Sequence, residues 1–268
     1  MQILITNDDG IHAPGLRLLA DVAAEFGEVH VVAPDTERSG SSHAITLFRP
    51  LRLRPVADRW YACDGTPTDC VYLGLHQLEL KPDLVLSGVN PGPNLAHDVL
   101  YSGTVSGALE GTHWGVPSIA LSHFASDERL LERLRPELGP LLRQLIPQAV
   151  ALGRTLNVNL PAADRLPFAG VRVTRLGARF YSNEVYERND PRGRLYFWIG
   201  GSRVSMPDLP GSDCNAIRDN YVSVTPLADD ITGHDAIGPL AAALGVDTPE
   251  PSEPGARAGR ARTDARAD

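Results

Sequence analysis

The stretch Met1-Gln2-Ile3-Leu4-Ile5-Thr6-Asn7-Asp8-Asp9-Gly10 decides the fold. Its apolar opening reads as a buried parallel strand, and in open α/β sheets ligands sit beyond the carboxyl ends of the strands. The two carboxylates therefore fall where a site would be. Adjacent aspartates repel each other. A hard cation bound through oxygen is one reason to place them together, and capping of the segment that follows is the other.

Working outward from that strand, Pro14-Gly15 opens a helix whose apolar positions Leu16, Leu19, Ala20, Ala23 and Phe26 follow the helical period. Gly27 ends it, and residues 29–33 form a second strand. Residues 68–80 read as a helix, Pro82 breaks it, and residues 84–86 follow as a strand. Residues 104–114 are helical and residues 118–121 extended. This alternation predicts an α/β protein with a Rossmann-like, doubly wound and mostly parallel sheet.

The second half is less regular. Residues 129–152 read as helical with a break at Pro147, and residues 156–160 and 171–175 as strands. Between residues 180–185 and 195–199, both strand-like, stands Asn189-Asp190-Pro191-Arg192-Gly193, the pattern of a β-hairpin arm. Residues 236–244 suit a last helix. The expected organisation is a catalytic core over residues 1–175, a C-terminal extension over 176–247 that carries the hairpin arm and returns to the core, and a disordered tail over 248–268, where Pro, Gly, Ala and Arg dominate.

With 268 residues and 43% hydrophobic content, the chain can bury a substantial core. Its formal net charge of -8 belongs to the body, because Glu250, Glu253, Asp264 and Asp268 of the tail are balanced by Arg257, Arg260, Arg262 and Arg266. No basic stripe marks a binder of nucleic-acid polymers. No run approaches a membrane span and the N-terminus has no secretory pattern, so a cytoplasmic location is expected. Cys63, Cys70 and Cys214 show no metal-ligand spacing and read as reduced thiols.

Three more loops lie at strand ends on the side of Asp8 and Asp9. Glu37-Arg38-Ser39-Gly40-Ser41-Ser42-His43 follows the second strand, and Ser87-Gly88-Val89-Asn90-Pro91-Gly92-Pro93-Asn94 follows the strand at 84–86. Tyr101-Ser102-Gly103-Thr104 opens a helix, whose free backbone N–H groups make a ready anion site. A dinucleotide-binding oxidoreductase would need G-x-G-x-x-G after the first strand. That pattern is missing, and negative charge stands in its place.

These residues resemble the SurE (survival protein E) nucleotidases. Asn7 to Gly15, Val32-Ala33-Pro34-Asp35, Arg38-Ser39-Gly40, Gly65-Thr66-Pro67-Thr68-Asp69-Cys70-Val71, Ser87-Gly88-Val89-Asn90 and Tyr101-Ser102-Gly103-Thr104-Val105 look like that family's blocks in its order. The resemblance implies a metal-dependent phosphatase that hydrolyses nucleoside monophosphates. It assigns Asp8 and Asp9 the catalytic role, and Asp8, Asp9, Ser39 and Asn90 the binding of one divalent cation per subunit. Such an oxygen-only set suits Mg²⁺ or Mn²⁺ rather than zinc. It assigns Asn94, Ser102, Gly103 and Thr104 to the substrate phosphate, and it implies a homodimer or homotetramer with exchanged C-terminal elements. A non-enzymatic nucleotide or metal sensor is the alternative, because sensing can use the same ligands.

The chain departs from the family in two places. Ser41-Ser42-His43-Ala44 stands where Ala-Ser-Asn-Ser is usual, so an imidazole replaces an amide, and His43 is expected to touch substrate. Ala96-His97-Asp98 stands where Gly-Asp-Asp is usual.

Overall fold

The structure is a computed structural model that describes residues 1–124, 128–182, 184–200 and 204–247. The expected tail at 248–268 lies outside the described residues. Residues Met1–Asp229 form one compact unit, and the described residues from Asp230 onward cluster separately.

The opening stretch forms β1 (Gln2–Thr6), and α1 (Pro14–Ala23), with Pro14 at its start, leads to β2 (Glu28–Pro34). A hairpin of β3 (Leu53–Ala57) and β4 (Trp60–Cys63), which periodicity alone did not reveal, comes before α2 (Pro67–His76). Thr66 and Asp69 cap α2 reciprocally, each side chain accepting from the other's backbone N–H. Then come β5 (Leu84–Pro91), α3 (Gly103–His113), β6 (Ser118–His123), α4 (Arg135–Leu152) and β7 (Thr155–Leu160). The chain continues through β8 (Val171–Val173), β9 (Phe180–Tyr181), β10 (Glu184–Asn189), β11 (Leu195–Gly200) and β12 (Val204–Ser205). It returns through α5 (Asp213–Arg218) to β13 (Val222–Leu227), and α6 (His234–Leu244) stands in the separate unit.

Among the described residues the main sheet runs β3-β4-β2-β1-β5-β6-β7-β13-β8. Its centre from β4 to β7 is parallel; β3 and β13 supply the antiparallel pairings, against β4 and β7. The chain steps from β1 to β2 on one side and later to β5 on the other, so β1 lies at the switch point where open α/β sheets place ligands.

Side chains alternate faces along a strand, and the core follows that alternation. Ile3 and Ile5 pack with α1 and α4, whereas Leu4 packs with α2. On β6, Ile119 and Leu121 face α1 and α4, and Ala120 faces α3. The crossovers through α3 and α4 step the same way across the sheet but cover opposite faces. They therefore have opposite hand, and one departs from the right-handed rule.

Three expectations need correction. The loop read from Ser87 to Asn90 is still strand, because β5 continues to Pro91 with a register shift between Ser87 and Asn90 opposite β6. The helix expected to break at Pro147 passes through both Pro140 and Pro147. Its apolar face, including Leu138, Leu142, Leu145 and Ala149, stays buried on the core, and that packing outweighs the missing backbone donors. The arm is present as an antiparallel pair with Asn189 opposite Leu195. Asp190 closes its turn by accepting from the N–H groups of Arg192 and Arg194. The strand expected at 180–185 is divided, since β9 pairs with β12 and β10 with β11.

Candidate active site

Beyond Thr6 the chain leaves the sheet in a turn held by Asn7, whose side-chain amide donates to the Gly10 carbonyl at 3.0 Å. Asp8 is thereby delivered to the carboxyl end of β1, only 4% exposed. The Thr104 hydroxyl, on the first turn of α3, donates to its Oδ1. Burial pushes the Asp8 carboxyl up, against the opposing bonds from Thr104 and nearby backbone N–H groups. A buried carboxylate beside a second carboxylate, met by a neutral hydroxyl, is an environment that a cation completes.

Gly103 makes this approach possible. A Cβ there would stand 2.8 Å from the Asp8 Cβ and 2.9 Å from the Ser41 Oγ, too close for any side chain. The Ser102 hydroxyl caps α3 by accepting from the Val105 N–H at 3.0 Å. Ser102, Gly103, Thr104, Asp8 and the Ser41 hydroxyl thus meet at one helix N-terminus. Ser41 was not singled out in the sequence; its Oγ is buried without a partner among the described residues.

The loop after β2 is tied to Asp8 by the Arg38 N–H, which donates to the Asp8 carbonyl at 2.7 Å, and to the start of α3 by the Ser42 N–H, which donates to the Tyr101 carbonyl at 3.1 Å. Ser39 is exposed on this loop, and its hydroxyl donates to Glu37 at 2.8 Å. Asn90 is the last residue but one of β5, the neighbour of β1; its Nδ2 donates to the Gly92 carbonyl at 2.7 Å, which leaves Oδ1 open. Among the described residues no three His, Cys, Asp or Glu side chains converge as a metal site. The set expected from the sequence, Asp8, Asp9, Ser39 and Asn90, offers two carboxylates, a hydroxyl and an amide. That chemistry fits a hard cation.

Asn94 and His43 are placed differently from the rest. Asn94 is buried, with its side chain donating to Ser122 at 2.7 Å and its carbonyl accepting from Asn157 and Asn159. Those two asparagines of β7 also escaped the sequence reading. Their signal was there, polar residues spaced by two on an otherwise apolar strand. His43 Nε2 lies 2.8 Å from Glu110 Oε2, further along α3, rather than beside Asp8. Burial acts to raise the Glu110 carboxyl, but bonds from His43 and Trp114 outweigh it and hold the group below its usual range.

On the other face of the sheet a cavity opens between the start of α1 and the ends of β5 and β6, bordered by Asp9, Glu37, Val89, Pro91, His123 and Leu131. His123 is 2% exposed, and burial pushes its pKa down to about 4. Cys63, Cys70 and Cys214 are free and buried.

Comparison with known proteins places the chain in a family. The family model described as Survival protein SurE matches residues 3–183. A protein of Anaeromyxobacter sp. (strain Fw109-5) named 5'-nucleotidase SurE is 52% identical over 241 residues, 88% of this chain and 93% of that protein. One of the same name from Myxococcus xanthus (strain DK1622) is 48% identical over 243 residues, 87% of this chain and 89% of that protein. The crystal structure of the Sure protein from Aquifex aeolicus superimposes with a TM-score of 0.78 at 37% identity, covering 91% of this chain and all of that one. A switch-point aspartate pair backed by the N-terminus of α3, and relatives matched over nearly their whole length, lead to one conclusion: the chain belongs to the Survival protein SurE family.

Proposed function

We propose that this chain is a divalent-cation-dependent phosphohydrolase that converts nucleoside monophosphates to nucleoside and phosphate. The observation that carries it is the buried Asp8 carboxylate, held by Thr104 at the N-terminus of α3 with Gly103 packed against it. The relatives' printed name, 5'-nucleotidase, supports the substrate class, and nothing in those names favours the alternative of a non-enzymatic sensor.

In this reading Asp8, Asp9, Ser39 and Asn90 hold one Mg²⁺ or Mn²⁺ ion. Such an ion, when bound, would neutralise phosphate charge and lower the pKa of a water, making it a nucleophile near neutral pH. Backbone N–H groups of Gly103 and Thr104, with the hydroxyls of Ser41 and Ser102, orient the phosphoryl oxygens and stabilise charge that builds on them. The same reading gives Asn94, whose side chain donates to Ser122, and His43, paired with Glu110, a part in binding the substrate. Phosphate release from AMP with Mn²⁺, compared with the same reaction in EDTA, tests the proposal. Release that is equal in both, or absent in both, counts against it.

The remaining expectations belong to the same proposal. The arm of β10 and β11 leaves Val185, Leu195, Phe197, Trp198 and Ile199 exposed, which supports an extension from residue 176 that is covered by another subunit of a homodimer or homotetramer. Among the described residues no helix is long and apolar enough to cross a membrane. A cytoplasmic location remains part of the proposal on the sequence grounds given above.

A further inference from the structure

The cavity beside α1 has a feature that the hydrolytic reading leaves unused. His123 closes β6 on the face of Ile119 and Leu121, the α1 side, whereas Gly103 and Thr104 stand on the α3 side. Its imidazole is nine-tenths buried or more, and Nδ1 has no partner among the described residues. Buried polar atoms are nearly always paired, so a native protein that keeps an orphan one at a cavity wall has a use for it.

Resting on the nucleotidase reading, we infer that His123 is a specificity residue for the substrate's sugar, hydrogen-bonding a ribose hydroxyl in the cavity between α1 and the ends of β5 and β6. Three observations select this group. The cavity shares Asp9 with the cation site, and Val89 and Pro91 on its wall flank Asn90, so the unit that enters it is the one bonded to the phosphate. The carboxylates of Asp9 and Glu37 on its border repel a second phosphate but accept from a hydroxyl. Val89, Pro91 and Leu131 supply apolar wall for the C–H faces of a furanose. A hydroxyl both donates and accepts, matching an imidazole ring with one nitrogen of each kind.

The test compares kcat/KM for AMP, 2'-deoxy-AMP, 3'-deoxy-AMP and p-nitrophenyl phosphate, with Mn²⁺, in wild type, His123→Leu and His123→Gln. A site built to bond a hydroxyl discriminates strongly against the substrate that lacks it, so wild type should prefer AMP over one deoxynucleotide by about tenfold or more. His123→Leu should lose that preference through a higher KM for AMP, leave p-nitrophenyl phosphate unchanged, and melt no lower than wild type because an unpaired buried nitrogen is gone. His123→Gln, which still offers a donor and an acceptor, should keep part of the preference. A ribose preference that is missing in wild type or unaltered in His123→Leu overturns the inference, as does an equal loss on AMP and p-nitrophenyl phosphate. If wild type releases phosphate from no nucleotide, the nucleotidase reading itself fails and takes this inference with it.

Discussion

His43 Nε2 sits 2.8 Å from Glu110 Oε2, and through this contact the loop that carries Ser39 and Ser41 is pinned to the helix whose first turn holds Asp8. Glu110 lies six residues after Thr104 on α3, so the pin acts a little under two helical turns from the aspartate. His43→Ala and Glu110→Gln should each raise KM for AMP several-fold with a smaller change in kcat. The double variant should be no worse than either single one, since both remove the same contact. Additive losses would show that His43 acts on the substrate independently of Glu110.

The same pair predicts a pH dependence of stability. Burial acts to raise the Glu110 carboxyl but the His43 and Trp114 bonds prevail, so its folded pKa lies below the reference value of 4.5. A carboxyl with a depressed folded pKa contributes stability above the unfolded pKa and loses it as pH falls through the folded one. Glu110→Gln should therefore cost about 1 kcal/mol near neutrality, a figure kept low because His43 is 41% exposed. The difference in Tm between wild type and variant should close as pH falls from about 5 towards about 3. A gap that stays constant over that range would refute the assignment.

Asp8→Asn and Asp9→Asn test the cation set directly. Each removes a ligand and a negative charge, so each should abolish Mn²⁺-dependent phosphate release. In EDTA the Asp8→Asn protein should melt no lower than wild type, because a buried carboxylate becomes a neutral amide that can still accept from Thr104. Full turnover by either variant at saturating Mn²⁺ would remove that aspartate from the mechanism.

The arm gives a prediction about assembly. Val185, Phe197, Trp198 and Ile199 are all more than half exposed, an arrangement that a two-stranded ribbon does not sustain alone in water. Replacing residues 184–200 by a short Gly-Ser turn should shift light-scattering mass to a smaller species or to aggregates. An unchanged mass would mean that other surfaces hold the oligomer.

Much of the first half of the fold was legible because β1, β2, β5 and β6 each contain a short apolar run, and the helices between them carry the 3.6-residue period. Asp8, Asp9, Ser102 and Thr104 were legible for the same reason, since strand ends and helix starts can be read from local pattern. What could not be read depends on partners distant in sequence. The β3–β4 hairpin is mostly exposed on β3, so it has no apolar alternation to notice. β5 was cut short because Gly88 and Pro91 look like turn chemistry, although Pro91 pairs with His123 of β6. Ser41, Asn157, Asn159 and His123 matter through what they face, and no local pattern records that.

Ala96 carries the last prediction. It stands where the family usually has glycine, and its φ of 52° is in the left-handed region that costs a non-glycine residue about 1–2 kcal/mol. The backbone is held there because the Ala96 N–H donates to Asp213 Oδ2 at 2.8 Å, fixing the turn that leads from Asn94 to the start of α3. Ala96→Gly relieves the strain but gives up a fully buried methyl, worth about 0.8 kcal/mol, beside Leu95, Cys214 and Ile217. The balance favours glycine by up to about 1 kcal/mol, a rise in Tm of a few degrees or less for a chain of this size. Activity should be unchanged, because the Asp213 bond uses only the backbone. A clear fall in Tm would show that packing at this turn, rather than its φ angle, decides which residue it holds.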